Sequence, residues 1–534
     1  MLDDLISSLK DSKIGASLGD LNVNCLAFAD DIVLIADSKY DLQAGLNLAL
    51  EFFRTLSMTI NVKKCETLRI VPAYRVKSMK VDTKSTFYIG NSRIRTCGFD
   101  RPLRYLGVQI TPKGDLVYPR ASLELMLGRL TRARIRPEQR LRMLRQTVLP
   151  RICFSLRLAM VPQSKLLALD AIIRKWVKKT VHLPPGSPTA FFYLPLRSGG
   201  LGLVELARTI PLRTAKCLYK LQCSGDQTDV LVASAMLGRY SKTIEKLRLL
   251  PSDIEASIRN RPLALLESFH RTAWGLGHQA IIESAKPLGW VCEGRLLQGG
   301  EYVQAVQLYS GNLPTRLALH RGRQVDNSLL MCRRCHRSKE TTAHIMNECD
   351  TVHRAIVDRH NAVCRTLSSI LSKRPDTQVH SEALIKVNNE GFRPDLIVLE
   401  NSRIYILEVT VPFDQTLAYL NSRFQAKYEK YNTLALKHSI CNHFNKSFEQ
   451  TSVEVLPFVV GSRGVLPSRS VNTLRTLGIL RFSQMLQAQS LRGSIRVWNI
   501  FKSSKNVLQS SWSAGLRGDN TNTAGRTGRP PDHS

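Results

Sequence analysis

The stretch Leu26–Asp37, LAFADDIVLIAD, constrains the fold of this chain more than any other. Two short apolar runs, Leu26–Ala29 and Ile32–Ala36, are rich in branched residues and read as strands. Between them stand two adjacent acids, Asp30 and Asp31, so the pattern predicts a tight hairpin with both carboxylates at its turn. Asp is a poor strand residue, and two like charges at the end of a buried hairpin repel. A divalent metal would remove that conflict. A plain surface turn, for which Asp is also suited, is the competing reading.

The remainder of the chain narrows the choice. Its 534 residues suggest three or four domains. Lys and Arg number 76 against 43 Asp and Glu, a formal charge of +33. A field that basic favours a polyanionic partner, most simply nucleic acid; a membrane surface is the rival. No apolar run reaches the length of a spanning helix, and the start, MLDDLISSLKDSKIG, lacks a signal-peptide core. The 12 Cys are scattered except for a cluster at Cys332, Cys335 and Cys349, which fits a reducing compartment.

Residues 1–9 read as an amphipathic helix. Asp41–Leu56 reads as a second, with Leu42, Leu46, Ala49, Phe53 and Leu56 at helical spacing. Leu123–Met160 is strongly basic. Pro137 is suited to start a helix there, with Leu141, Leu144, Val148 and Ile152 as its core stripe. Arg142 and Arg145 then lie along the edge of that stripe, suited to a nucleic-acid backbone; a solvated face is the bland alternative. Pro184–Pro195 and SGGLGL at Ser198–Leu203 mark a connection. Ile210–Leu330 repeats apolar helical patterns, with Trp274 and Trp290 assigned to a core, and shows no chemistry.

Cys332 and Cys335 form Cys-x-x-Cys, followed by His344 and Cys349. Two thiolates on a tight turn and a His and Cys on a short return can surround one tetrahedral ion, as in structural zinc sites. So small a segment has little core of its own, and the metal would supply folding energy. His353 is a competing ligand. Arg333, Arg334, Arg337 and Lys339 decorate the cluster and suit contact with nucleic acid.

Further on, RPDLIVL from Arg393 and RIYILEVTV from Arg403 to Val411 read as two strands. With Asn401–Ser402 as a two-residue loop, Leu399 faces Ile404, Ile397 faces Ile406 and Asp395 faces Glu408. Such partners lie about 4.5–5.5 Å apart at Cβ. Two carboxylates so placed on an apolar face need a metal or a proton. A helix is expected from about Gln415 to Leu436, with Leu417, Leu420, Phe424, Tyr431 and Leu434 buried and Lys427 amid that stripe. Asp395, Glu408 and Lys427 then form one site, two acids for a divalent metal and a Lys for water or phosphate. Lys430 flanks it, and Glu382, in a helix-like segment, is a candidate extra acid. Val453–Gly464 reads as another core strand, and the composition after Lys502 as a disordered tail.

These motifs, in this order, resemble the Pol polyproteins of site-specific non-LTR retrotransposons, in their C-terminal part. FADD resembles the catalytic turn of a reverse transcriptase, NVKKCETL at Asn61–Leu68 the segment after it, and RYLGV at Arg104–Val108 the primer grip. The resemblance continues through LPTRLALHRG at Leu313–Gly322 and TVHRAIVDRHNAV at Thr351–Val363, where His353, His360 and Asn361 would position nucleic acid, brace the knuckle or merely pack. RPD with Glu408 and KYEKY resembles the PD-(D/E)xK restriction-like endonucleases, although Thr410 stands where many relatives have the Lys, which shifts that role to Lys427.

The resemblance implies an α/β multidomain chain. It divides into a partial reverse-transcriptase palm with primer grip (1–115), a helical thumb (116–205), a helical linker (206–330), a CCHC zinc knuckle (331–350), a restriction-like nuclease (351–500) and a tail (501–534). It implies Asp30 and Asp31 as catalytic in the polymerase, Lys64 as a nucleic-acid contact and His344 as the knuckle's histidine. Mg²⁺ or Mn²⁺ would serve the catalytic sites and Zn²⁺ the knuckle. Element RNA, chromosomal target DNA and dNTPs would be the partners, in the nucleus and without a membrane. The earlier palm Asp and a Gly-Gln loop are missing, so the chain reads as part of a longer polyprotein and is not expected to polymerise as it stands. The rival readings are a catalytically inactive nucleic-acid-binding remnant and a host repair nuclease.

Overall fold

The computed structural model describes residues 2–73, 78–98, 101–112, 116–158, 160–272, 274–275, 278–286, 296–388 and 390–503. Trp290 and all but the first three residues of the expected tail lie outside them. The chain is a mixed helix–strand, multidomain protein. It forms two compact units: Met1–Arg132 with Leu144–Ile172 and Val204–Arg259, and Ala133–Met143 with Ile173–Leu203 and Asn260–Ser534. No helix among the described residues is long and apolar enough to cross a membrane.

In the first unit, the helix Leu2–Asp11 buries Leu5 and Leu9 against Ala49 of the helix Lys39–Thr55. Ser38 starts the second helix by accepting a hydrogen bond from the Asp41 N–H. Strands Cys25–Phe28 and Asp31–Leu34 pair antiparallel, and Cys25, Ile32 and Leu34 pack on the two helices. Side chains alternate along a strand, so Leu26 and Phe28 point the other way. They are 46% and 66% exposed. The hairpin is therefore covered on one face only, not buried as the apolar runs suggested.

Its turn also sits one residue earlier than expected. Phe28 pairs with Asp31, which leaves Ala29 and Asp30 as the loop and makes Asp31 the first residue of the second strand. Ala29 takes the left-handed φ of 53° that this reversal requires, at a cost of about 1–2 kcal/mol for a residue with a Cβ. In the RYLGV segment, strands Leu103–Tyr105 and Val108–Ile110 are joined through Leu106 and Gly107, both at positive φ, the conformation that suits the right-handed twist of a hairpin.

The basic helix begins at Pro137, and Leu141, Leu144, Val148 and Ile152 are all buried as the periodicity demanded. It is not regular, however: Leu144–Val148 is a π-turn before the α-helix Leu149–Leu158. Pro150 has no N–H and its ring crowds the carbonyl four residues back, and a widened turn accommodates both.

The second unit is built around a four-stranded sheet of β1 (Thr377–Ser381), β2 (Leu396–Glu400), β3 (Arg403–Thr410) and β4 (Ser452–Val459), in that order. β1, β2 and β3 run antiparallel to their neighbours, and β4 joins β3 in parallel. Leu399 faces Ile404 and Ile397 faces Ile406, the register read from the sequence. One sheet face, with Leu396, Val398, Tyr405 and Leu407, packs on Val363 and Leu367 of helix α1 (His353–Leu371). The other, with Ile397, Ile404 and Ile406, packs on Tyr431 of α2 (Leu417–Tyr431) and on Leu436 and Ile440 of α3 (Leu434–His443). Helix α4 (Ser483–Lys502) lies along α1.

Three expectations are corrected here. The single helix to Leu436 is two helices, because Thr433 caps α3 by accepting from the Leu436 N–H; Leu434, the first residue after that cap, is 71% exposed. The helix-like segment before Glu382 is strand β1, and Glu382 is an exposed residue just past its end. Order extends past 500, since Phe501 is fully buried in the last turn of α4.

The segment GSRG after β4 holds a buried ion pair. Arg463 Nε lies 3.1 Å from Asp414 Oδ1, with side chains 4% and 0% exposed, and its guanidinium also donates to the Asp414 carbonyl. Removing one partner of such a pair leaves an uncompensated charge. Asp414→Ala should therefore destabilise the protein by about 3–5 kcal/mol in urea denaturation. A change below about 1 kcal/mol would show that Arg463 finds other compensation.

Candidate metal centres

The β2–β3 register determines the first site. β2 begins at Leu396, so Asp395 sits just before the ladder and opposite Glu408. The Asp395 N–H donates to Glu408 Oε1 (3.2 Å), and the Val409 N–H donates to Asp395 Oδ2 (2.7 Å). Glu408 is 1% exposed, and its Oε2 accepts from Lys427 Nζ at 2.9 Å. Lys427 reaches it from α2 because the helix packs on the same sheet face as Ile404 and Ile406. Burial pushes the Glu408 carboxyl above its ordinary range, Asp395 adds to this, and Lys427 works against it. The trio expected from sequence is thus brought together. Lys430 is exposed, with its ammonium 5.2 Å from the Tyr431 ring centre.

The site has one further neighbour, which the sequence does not place there. His360, on α1, places Nε2 3.4 Å from Asp395 Oδ2 and 3.1 Å from the Val409 carbonyl. Its bond to Asp395, helped by Cys364, pushes its pKa up to about 11 against the effect of burial. The only sequence signal was the RHN wording; nothing local says that a helix residue will meet a strand end.

The second centre is the Cys/His cluster. Ligand atoms of Cys332, Cys335, His344 and Cys349 all lie within 4.8 Å of one another. Cys332 Sγ is 3.9 Å from Cys349 Sγ, and Cys335 Sγ is 3.2 Å from His344 Nε2. A tetrahedral zinc requires edges of about 3.8 Å between sulfurs and about 3.5 Å between sulfur and nitrogen. The residues fit that ion. The turn forms because the Cys332 N–H donates to Ser338 O and the His336 N–H to Cys332 O, with His336 at φ 55°. Thr341 caps the short helix that carries His344. Burial raises the Cys332 thiol well above its ordinary pKa, which a bound cation would reverse. His353 is exposed at the start of α1 and is not in the cluster.

Arg333 and Arg334, expected to face nucleic acid, turn inward. Arg333 pairs with the fully buried Glu340 at 2.5 Å, and Arg334 donates to the carbonyls of Ile500 and Phe501 at the end of α4. A helix C-terminus leaves carbonyls without helical partners and attracts cations, which explains the choice. Asp30, Asp31 and Lys64 are exposed, while Arg142 and Arg145 are half-buried. Trp274 is half-buried, donates to Asn312 and lies under Arg321.

Residues 1–110 match the family model "Reverse transcriptase (RNA-dependent DNA polymerase)". The chain is also 29% identical over 508 residues to the Retrovirus-related Pol polyprotein from type-2 retrotransposable element R2DM of Drosophila melanogaster, covering 94% of this chain and 47% of that protein. It is 26% identical over 489 residues to a Pol polyprotein from type-1 retrotransposable element R2 of Popillia japonica, 89% of this chain and 96% of that sequence. Along almost its whole length the chain is similar to Pol polyproteins of R2 retrotransposons. It spans about half the length of the Drosophila relative, and likewise 46% of an R2 relative from Nasonia vitripennis. The R2-type chain thus carries a reverse transcriptase domain at residues 1–110 and aligns with these relatives well beyond it.

Proposed function

We propose that this chain is part of an R2-type Pol polyprotein that as a whole couples RNA-directed DNA synthesis to a metal-dependent endonuclease, the latter in this chain's second unit, and works by target-primed reverse transcription. The observation that carries the nuclease is the meeting of Asp395, Glu408 and Lys427 at one end of the β2–β3 pair. A mixed sheet with helices on both faces supports the restriction-like reading. Asp395 and Glu408 would hold Mg²⁺ or Mn²⁺, which when bound supplies an activated water and neutralises phosphate charge. Lys427 holds the Glu408 carboxylate in place and offers a donor to charge developing on the phosphate. His360 anchors Asp395 from the opposite side of the sheet. Water adds to phosphorus, the bond to the 3′ oxygen breaks, and one strand is left with a free 3′ hydroxyl.

In the full-length polyprotein that hydroxyl would prime DNA synthesis on element RNA at the FADD turn, with Asp30 and Asp31 as ion ligands, dNTPs as substrates and Lys64, Arg142 and Arg145 on the backbone; this chain alone is not expected to polymerise. Zinc would close the Cys332–Cys335–His344–Cys349 knuckle. Chromosomal DNA as target makes the nucleus the site of action. A cavity of about 660 Å³ beside α1, lined by Arg365, Lys373, Arg374 and Arg481, offers cations to a phosphate backbone, although Arg374 is already tied to Glu400. The test is nicking of a supercoiled duplex by the purified chain with Mg²⁺ or Mn²⁺. Relaxed circles that disappear on chelation are expected. Tight, salt-sensitive DNA binding with no metal-dependent nicking would instead favour a remnant that only binds nucleic acid.

A further inference from the structure

Beside the proposed nuclease centre lies a group of ligands of a different character. His360 and Cys364 are four residues apart on α1, so both project from one face of the helix. Cys364 Sγ is 3.8 Å from His360 Nε2, and His360 Nε2 is 3.4 Å from Asp395 Oδ2. Ligand atoms of the three residues lie within 4.8 Å of one another. We propose that His360, Cys364 and Asp395 form a second metal site, distinct from the knuckle, that takes a soft or borderline divalent transition ion such as Zn²⁺, Co²⁺ or Cd²⁺.

The two edges that His360 makes come close to what such an ion requires. With ordinary zinc bond lengths, a tetrahedral ion sets nitrogen and a carboxylate oxygen about 3.4 Å apart and sulfur and nitrogen about 3.5 Å apart. The donor set also selects the ion. A thiolate and an imidazole with one carboxylate suit zinc or cobalt, whereas Mg²⁺ demands an all-oxygen shell. The Val409 carbonyl, 3.1 Å from His360 Nε2, or a water is within reach of the fourth position. His360 and Asp395 are partly exposed, with side chains 29% and 17% accessible, so an ion can enter. An ion takes the place of the hydrogen on His360 Nε2 and of the hydrogen on the Cys364 thiol, and both protons leave to solvent.

Asp395 is common to this site and to the proposed nuclease centre, so the two ions compete for it. This consequence rests on the nuclease reading; the binding itself does not. The test is a Co²⁺ titration of the full chain with its knuckle already loaded with zinc. A further equivalent of cobalt should bind with thiolate-to-cobalt absorption, and should be lost in both Cys364→Ser and His360→Gln. Zinc retention and circular dichroism verify that the variants stay folded. Absence of the further equivalent from the wild type overturns the proposal. So does its persistence in the Cys364→Ser/His360→Gln double variant. In the nicking assay, Zn²⁺ added over Mg²⁺ should slow the wild type, and slow Cys364→Ser less relative to that variant's own zinc-free rate. Equal inhibition removes the competition but leaves the titration decisive, and if the chain does not nick at all the titration still decides.

Discussion

Asp395→Ala should reduce metal-dependent nicking by a factor on the order of 10²–10³, the range for losing one preorganised charge contact at a reacting centre. Asp395 is the residue on which the site converges: it receives the Val409 N–H, meets His360 and gives its own N–H to Glu408. Glu408→Gln should lose a comparable factor, because it removes the other carboxylate charge while keeping the shape. Lys427→Ala leaves the Glu408 carboxylate with one charged partner fewer and should also cut nicking. His360→Gln acts through Asp395 and should cost less, about 10–100-fold, as expected for a residue that orients a metal ligand. Its effect should be relieved in part by raised Mg²⁺, which a role in the chemical step would not allow. DNA binding should survive in all four variants, since affinity comes from charge distributed over a chain of formal charge +33. The core built on Ile397, Ile404 and Ile406 is untouched, so the fold should hold. Equal nicking by wild type, Asp395→Ala and Glu408→Gln would reject this site.

The second large effect is expected at the knuckle. Cys335→Ser should abolish retention of one zinc per chain, measured by metal analysis after dialysis, whereas His353→Ala should retain it. Structural zinc contributes apparent folding energies of about 10–16 kcal/mol in isolated zinc fingers. Here the segment also has neighbours, because Ile345, Met346 and Val352 are buried and Arg334 holds the end of α4. Loss of the ion should therefore reach beyond the knuckle. Amide exchange in Ser483–Lys502 should rise along with exchange in Thr342–Asn347. Zinc that persists in Cys335→Ser but is lost in His353→Ala would show that the ligand set is wrong. Loss of zinc with unchanged exchange at α4 would show that the Arg334 contact does not depend on the metal.

Much of both centres was legible in the chain because their geometry is local. A two-residue loop at Asn401–Ser402 determines which residues of β2 and β3 face each other, and alternation then assigns Glu408 to the face of Ile404 and Ile406. The Cys332, Cys335, His344 and Cys349 spacing likewise describes a short turn and return, and those four ligands do meet. Where capping competed with periodicity, the reading erred. Leu434 continued an apolar stripe, but Thr433 beside it offered a hydroxyl to start a new helix, and the hydrogen bond won. The acid turn slipped by one residue because Ala29, against its ordinary preference, adopted the positive φ.

Composition showed the charge of Arg333 and Arg334 but not its destination. Glu340 stands within the same short segment but meets Arg333 only once its turn forms, and the carbonyls that end α4 are distant and featureless in the sequence. The same holds for His360 and Cys364: helical spacing sets them on one face of α1, yet nothing in their surroundings says which face meets Asp395. By itself the sequence determined what short-range geometry can determine, namely the β2–β3 register, the cysteines of the Cys/His cluster and the phase that turns Lys427 toward the sheet. The tertiary structure decided the long-range pairings, in which His360 anchors Asp395 and Arg334 holds the end of α4. Such contacts depend on how separate elements pack, and packing is a property of the whole folded unit rather than of any window of the chain.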